Sequence, residues 1–404
     1  MSNQTVLSPS KATLDLIFKL IAFDTTSRNS NLALIAFVQD YLRGFNIESS
    51  LVYNNDGKKA NLYATIGPSD RRGILLSGHT DVVPVDGQSW STDPFNPTLT
   101  GTRIYGRGAA DMKSFVATAL AFVPEFARAA LQTPIHLSLS YDEEIGCIGV
   151  RDLIDILKVS PYKPRMCIVG EPTKMEVVVA HKGKYYIRVH VRGRAGHSSL
   201  SPQHVNAIEM AAELIVFMRR LGQRIATSGP FDVEYEIPHL TIMTGVIKGG
   251  VNLNIVPKEC WFDFEIRDLP EDDPEAVLGE IKRYAAEVLE PEMQKIDPLS
   301  GFSFEEVSVR PSLSAGVDDE VVRITKALAR QCRHGSVSFG TEAALFQKQG
   351  HIPSVVCGPG DIEQAHKADE FIELDQIARC ENFMRELLIE ARAPAGSGLA
   401  ALTS

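Results

Sequence analysis

The chain has 404 residues, 44% hydrophobic and 23% charged, the composition of a folded globular protein, which excludes a disordered or collagen-like chain. That length points to two domains. Acidic residues outnumber basic ones by 51 to 41, a formal charge of −10, the opposite of what a non-specific polyanion binder needs. The cysteines at 147, 167, 260, 332, 357 and 380 stand singly, which argues against a disulfide framework or a structural zinc knuckle and for a reducing compartment. The segment Met1–Leu16 lacks a basic stretch followed by an apolar core, and no apolar run reaches the ~18 residues of a membrane span. The expectation is a soluble cytoplasmic protein that binds neither membrane nor nucleic acid.

In chain order, the pattern predicts helices over 10–23 and 30–43, the second stopped by Gly44 as a left-handed C-terminal residue. Short apolar runs at 46–53, 60–66, 73–78, 134–141 and 165–170 read as strands, and the run from Gly73 to Gly78 is apolar without alternation, as in a strand buried on both faces. A helix over 112–130 falls between two of them. Strands mixed with helices give an α/β domain with a mixed, largely parallel sheet flanked by helices.

After residue 182 the texture changes. A strand over 183–192 precedes a helix opened by Ser201-Pro202 and running to Leu221. Strands follow at 239–247 and 258–267, the second with Cys260, Phe262, Phe264 and Ile266 on one face. Asp273-Pro274 opens a helix to about 289, and 301–309 closes a β-α-β-β-α-β order typical of a small independent sandwich. The expected layout is a catalytic domain formed by 1–182 and 314–392, interrupted by an inserted βαββαβ domain over 183–313, with a flexible tail over 393–404.

Histidines and carboxylates gather in short segments at the ends of predicted strands. In Ser77-Gly78-His79-Thr80-Asp81, residues i and i+2 of extended backbone share a face, so Asp81 can hold the far nitrogen of His79, as carboxylates do for metal-binding histidines. A surface turn is the plainer reading of that pair alone. The segment Gly106-Arg107-Gly108-Ala109-Ala110-Asp111-Met112-Lys113 superficially suggests a dinucleotide loop, but Asp111 stands where Gly or Ala is needed and would repel a pyrophosphate. Its glycines instead present Asp111 at the head of a helix, where it can bridge two metals or simply cap the helix. Asp142-Glu143-Glu144 follows an apolar strand directly, so one carboxylate can bind metal while its neighbour moves protons, although acidic triplets are more commonly solvated. Gly170-Glu171-Pro172-Thr173 and Ala365-His366-Lys367-Ala368-Asp369-Glu370 add another carboxylate and another histidine.

In this order the segments resemble the co-catalytic zinc aminoacylases and carboxypeptidases, a family that includes acetylornithine deacetylases, succinyl-diaminopimelate desuccinylases and glutamate carboxypeptidases. The resemblance covers nearly the whole chain. It implies two Zn²⁺ ions per subunit, with Co²⁺ as a substitute, bridged by Asp111; His79 and Glu171 complete one site, Glu144 and His366 the other. It further implies that Asp81 orients His79 and that Glu143 is the general base on a metal-bridging water. Arg194-Ala195-Gly196-His197-Ser198-Ser199 resembles the segment whose histidine reaches the partner subunit's active site, so His197 is the implied oxyanion donor and the inserted lid domain the implied homodimer contact.

Asn254 and Arg267 resemble residues that bind the substrate carboxylate, although Arg267 can equally serve a cross-strand ion pair. The stretches His79–Trp90, Gly340–Ala343 and Gly358–His366 look most like the acetylornithine deacetylases, with Gly340 where those usually have cysteine or serine. That likeness implies hydrolysis of the amide of N2-acetyl-L-ornithine, a small acylated amino acid, with Glu342 as a candidate reader of the cationic side chain. Related N-acyl-amino-acid deacylases or desuccinylases are the near alternative. A non-catalytic binding protein on the same fold is the alternative of another class, but it predicts loss of a ligand or of the base, and none is missing.

Overall fold

The computed structural model describes residues 8–394. They divide into two units: one contains the chain up to Ala180 together with Leu313–Ser336 and the residues from Thr341 onward, the other His181–Ser312 with Val337–Gly340. The expected flexibility of the tail falls largely on 395–404, outside the described residues.

The first unit is built on a mixed sheet in the order Ser49–Tyr53, Ala60–Ile66, Ile135–Ser140, Ile74–His79, Met166–Val169, Ser354–Val356, Val177–His181, Leu313–Ser314. Its centre is parallel: Ile74–His79 lies between Ile135–Ser140 and Met166–Val169, and Ser354–Val356 runs parallel to the latter. The outer strands Ser49–Tyr53 and Ala60–Ile66 are antiparallel. All six residues of Ile74–His79 are buried, as its unalternating apolar start requires, and all six of Ile135–Ser140 are buried despite its apolar/polar alternation. Helices Lys11–Ile21, Leu32–Arg43, Lys113–Ala121 and Leu374–Arg392 contribute Leu20, Leu34, Phe115 and Phe383 to one apolar core with those strands.

The second unit is a four-stranded antiparallel sheet in the order Thr241–Gly249, Glu259–Arg267, Lys184–Arg192, Gly301–Arg310. Cys260, Phe262, Phe264 and Ile266 are buried and share a core with Leu214 and Met218 of helix Ala207–Ser228 and Leu278 and Ile281 of helix Pro274–Tyr284. No helix among the described residues is long and apolar enough to cross a membrane. All six cysteines are free thiols.

Four local expectations are corrected. Ser201-Pro202 does not open the long helix: Ser198–Gln203 is a 3₁₀ turn, and the helix starts at Ala207 under Asn206, whose Oδ1 accepts from Ile208 N at 3.0 Å and Glu209 N at 3.4 Å. His204 is extended, and Arg194 pairs with Val205 across an isolated bridge, so tertiary pairing overrides the Ser-Pro start signal. The same helix runs through Gly222, an interior glycine costing about 1 kcal/mol, and stops at Ser228 before Gly229, whose φ is 74°. The helix expected over 112–130 is two, Lys113–Ala121 and Val123–Arg128, because Pro124 has no N–H to continue the first. Gly44 keeps a right-handed φ of −60°; the left-handed residue is Asn46, at φ 59°.

His136 is enclosed in Ile135–Ser140, its Nδ1 3.0 Å from Thr65 Oγ1 and its ring stacked on Tyr63. Burial pushes the imidazole down to about 4 from 6.5. Above pH 6.5 the ring is neutral in both states; between 6.5 and 4 only the unfolded chain binds the proton. Stability contributed above the unfolded value is therefore lost as pH falls, by up to about 3 kcal/mol. Urea unfolding of wild type and His136→Asn should give a constant difference above pH 6.5 that shifts in favour of the variant toward pH 4. An unchanged difference would refute this origin of acid lability.

Candidate active site

The parallel centre of the sheet decides where the polar residues meet. Three adjacent strands end on the same edge, and each ends in a candidate ligand: His79 closes Ile74–His79, Glu143 and Glu144 follow Ile135–Ser140, and Glu171 follows Met166–Val169. The loop before Lys113–Ala121 supplies Asp111, turning at Gly108 with φ 85°, and the loop after Ser354–Val356 supplies His366. Ligands at the carboxyl ends of strands are the general habit of such sheets.

Asp111 lies between the histidines. Its Oδ1 is 3.0 Å from His79 Nε2, and its Oδ2 is 3.2 Å from His366 Nε2. Glu171 Oε1 lies 3.8 Å from His79 Nε2, and Glu144 Oε2 lies 3.0 Å from His366 Nε2. Asp111 is thus not the cap of the following helix, whose N-terminal residue Met112 makes no side-chain cap. Two ligands on one tetrahedral zinc, each at about 2.0–2.2 Å, stand about 3.3 Å apart, so nitrogen and carboxylate atoms at these spacings could hold a cation on either side of Asp111. His79, Asp111 and Glu144 also form one mutually close group, and His79, Glu143 and Glu171 another.

The electrostatics point the same way. Burial, then the Asp111 charge, pushes Glu144 up to about 7, and the same two causes raise Glu171 well above the carboxylate range. Hydrogen bonds that the His366 imidazole donates to Asp111 and Glu144 raise its pKa to about 10. Burial opposes charge on His79, but Asp111 and Glu171 override it and hold the imidazole well above its usual value. These groups carry more negative charge than water-poor surroundings tolerate, and bound cations relieve that.

Other site residues depart from expectation. His79 Nδ1 donates to the backbone carbonyl of Asp81 at 2.8 Å, while the Asp81 carboxylate is 3.7 Å away. The orienting acceptor is therefore the carbonyl. The Asp81 carboxylate instead accepts from Ser27 Oγ at 2.7 Å, Glu143 N at 3.1 Å and Glu144 N at 3.3 Å, so it fixes the turn that carries the carboxylate pair. Glu342 is 1% exposed, Oε2 3.5 Å from Ser77 Oγ; burial, then Glu143, pushes its acid up to about 8. This enclosure works against a charge on Glu342 and so against its reading as an anion facing substrate.

Glu143 is buried and accepts a thiol hydrogen bond from Cys147 at 3.0 Å. Cys147 and Ser27 lie outside the segments that the sequence singles out, and Arg107 and Glu370 lie inside two of them without a role, because spacing does not signal burial beside the ligands.

In the second unit, His197 is exposed. Its Nδ1 accepts from Ser199 N at 3.2 Å, which leaves the proton on Nε2. Asn254 supports the same loop through its carbonyl, which accepts from Ser198 N at 3.1 Å. Arg267 is paired with Glu265 of its own strand, Nε to Oε1 at 3.2 Å, an ion pair along the strand rather than the cross-strand one expected.

The strand carrying Glu171 has no room to move. A Cβ on Gly170 would lie 2.1 Å from the Phe115 ring. Gly170→Ala should lower stability in urea by about 1–3 kcal/mol, because a rigid buried ring must shift; a variant as stable as wild type would show that the Glu171 strand end yields.

Residues 75–390 match the model of peptidase family M20/M25/M40. An acetylornithine deacetylase of Myxococcus xanthus is 33% identical over 90% of this chain and 93% of its own length, and one of Proteus mirabilis is 33% identical over 91% and 92%. An M20 family metallo-carboxypeptidase from Sulfolobus solfataricus shares the fold, with a TM-score of 0.72 at 18% identity over 94% of this chain and 99% of that one. With two histidines and three carboxylates meeting at the ends of its parallel strands, the chain belongs to peptidase family M20/M25/M40 and is a metal-dependent amidohydrolase.

Proposed function

We propose that this chain hydrolyses N2-acetyl-L-ornithine to L-ornithine and acetate, a cytoplasmic step toward arginine, with two Zn²⁺ per subunit and Co²⁺ as a working substitute. The observation that carries the metal-centre reading is Asp111, one oxygen toward His79 and the other toward His366. The choice of substrate is supported by the curated relatives at 33% identity, both acetylornithine deacetylases.

In this reading Asp111 is shared by two sites, one completed by His79 and Glu171, the other by Glu144 and His366. Bound cations there supply Lewis-acid polarisation of the amide carbonyl and a lowered pKa for water. Glu143 takes a proton from the attacking water as its oxygen bonds to the carbonyl carbon, and returns it to the amine nitrogen as the C–N bond breaks. The thiol of Cys147 on Glu143 Oε1 favours one orientation of that carboxylate. Asp81 acts by holding the Glu143–Glu144 backbone, and its carbonyl fixes His79 with the Nε2 lone pair turned toward Asp111.

His197, with its proton on Nε2, is the proposed donor to the developing oxyanion, delivered across a homodimer formed through the unit that contains it. Asn254 and Arg267 are the proposed contacts of the substrate's carboxylate.

Metal-reconstituted protein assayed at equal concentrations of N2-acetyl-L-ornithine, N-succinyl-diaminopimelate and neutral N-acetyl amino acids should prefer the first. A clear preference for succinyl or neutral substrates would replace it with a related deacylase. Glu143→Ala should abolish turnover of every substrate while metal content measured by elemental analysis stays that of wild type. Residual activity near wild type in that variant would remove Glu143 from the chemistry.

A further inference from the structure

Outside the ligands themselves, the most heavily bonded polar group near the site is the carboxylate of Glu370, fully buried and named by no role so far. Its Oε1 accepts from Ala110 N at 2.8 Å and from the amide of Asp111 itself at 3.0 Å. Its Oε2 accepts from Gly108 N at 3.0 Å and from Arg107 Nη1 at 2.7 Å, and its carbonyl accepts from Gly106 N at 3.0 Å. One carboxylate therefore fixes the whole glycine loop that presents Asp111.

Arg107, 1% exposed, extends the arrangement to the other histidine. Its Nη2 donates to Gln88 Oε1 at 2.7 Å, and Gln88 Nε2 donates to the carbonyl of His366 at 3.1 Å. Trp90 donates to the same Gln88 oxygen at 3.0 Å with its ring under the Arg107 guanidinium. His366 needs such support, because its backbone has φ 61°, a left-handed conformation uncommon for a residue with a side chain. Asp369, also left-handed at φ 55°, accepts from Ser91 N and Ser91 Oγ, each at 2.8 Å.

We propose that Glu370, through Arg107, is the positioning residue of the metal centre: it sets Asp111 against His366 and thereby the affinity for the cation those two share with Glu144. His79 and Glu171 stand on strand ends and make no bond to the pair, so the other cation is held independently of it except through Asp111. The inference rests on the two-cation reading above. Outer groups that hold metal ligands in place are commonly worth about 10–100-fold in metal affinity.

The test is titration of the full-length apoprotein with Co²⁺, followed by calorimetry and by the visible absorption of bound cobalt. Wild type should take up two ions. In Glu370→Gln, where an amide donor faces backbone N–H donors and Arg107 loses its anion, affinity for one of the two should fall by about 10–100-fold with an altered cobalt spectrum, the other changing less. Arg107→Lys, which keeps the charge, should lie between the two. If Glu370→Gln does not fold, Gln88→Ala reads the same connection from a half-buried side chain, with weaker binding of one ion expected. Wild-type affinities and spectrum in the folded Glu370 variant, or in Gln88→Ala where that stands in for it, would overturn the proposal. Fewer than two ions bound by wild type would instead overturn the two-cation reading.

Discussion

The structure depends on the crowding of like charge around Asp111. Two unit charges 4 Å apart interact by about 4 kcal/mol at an effective dielectric near 20. Glu144 and Glu171 both feel the Asp111 charge, the largest influence on the acidity of each after burial itself. A fold that packs these acids together loses stability unless something positive joins them. The imidazoles of His79 and His366 partly meet the need, each drawn to one oxygen of the same carboxylate. Bound dications meet it more fully, which makes the constellation a demand for metal as much as a container for it.

Two architectural decisions hold that unfavourable cluster. The first is the parallel pairing of Ile74–His79 with Ile135–Ser140 and Met166–Val169, which brings three strand ends to one edge. The second is the return of the chain after the intervening unit. Residues 354–370 add Ser354–Val356 to the same sheet, interlock with the Glu171 loop through Lys174 N to Gly360 O at 2.7 Å and Met175 N to Gly358 O at 2.8 Å, and bring in His366 and Glu370. Gly358 sits where a Cβ would be 2.0 Å from the Gly170 carbonyl, so this close crossing of the two halves is possible only with glycine. The centre is assembled from both ends of one unit.

Much of this was legible in the sequence, and for a physical reason. A strand buried on both faces lacks the alternation of a half-exposed one, as Ile74–His79 does, and Ile135–Ser140 shows its apolar residues at every second position, so both could be read nearly to the residue along with the polar residues that follow them. Residue types fixed the chemistry, since histidines with carboxylates at strand ends suit few tasks. What stayed hidden was whatever burial and tertiary pairing decide. Asn206 rather than Ser201 caps the long helix because Val205 is first taken into a bridge with Arg194. Asp81 turns its carboxylate to the Glu143 and Glu144 amides rather than to His79, and enclosure works against a charge on Glu342. Neither spacing nor composition carries that information.

The two histidines are not equivalent, and the difference bears on how the site can work. His79 is 1% exposed, ends a central strand, and has its ring fixed by a carbonyl two residues away. His366 is 51% exposed and sits on a left-handed residue of a loop. The buried side is therefore set by the sheet itself, whereas the exposed side is set by a chain of hydrogen bonds from Glu370 through Arg107 and Gln88. Solvent meets the site at the His366 side. A ligand placed there must be accurate without the rigidity of a strand, and a buried ion pair on the neighbouring loop provides that accuracy while leaving the imidazole open to water.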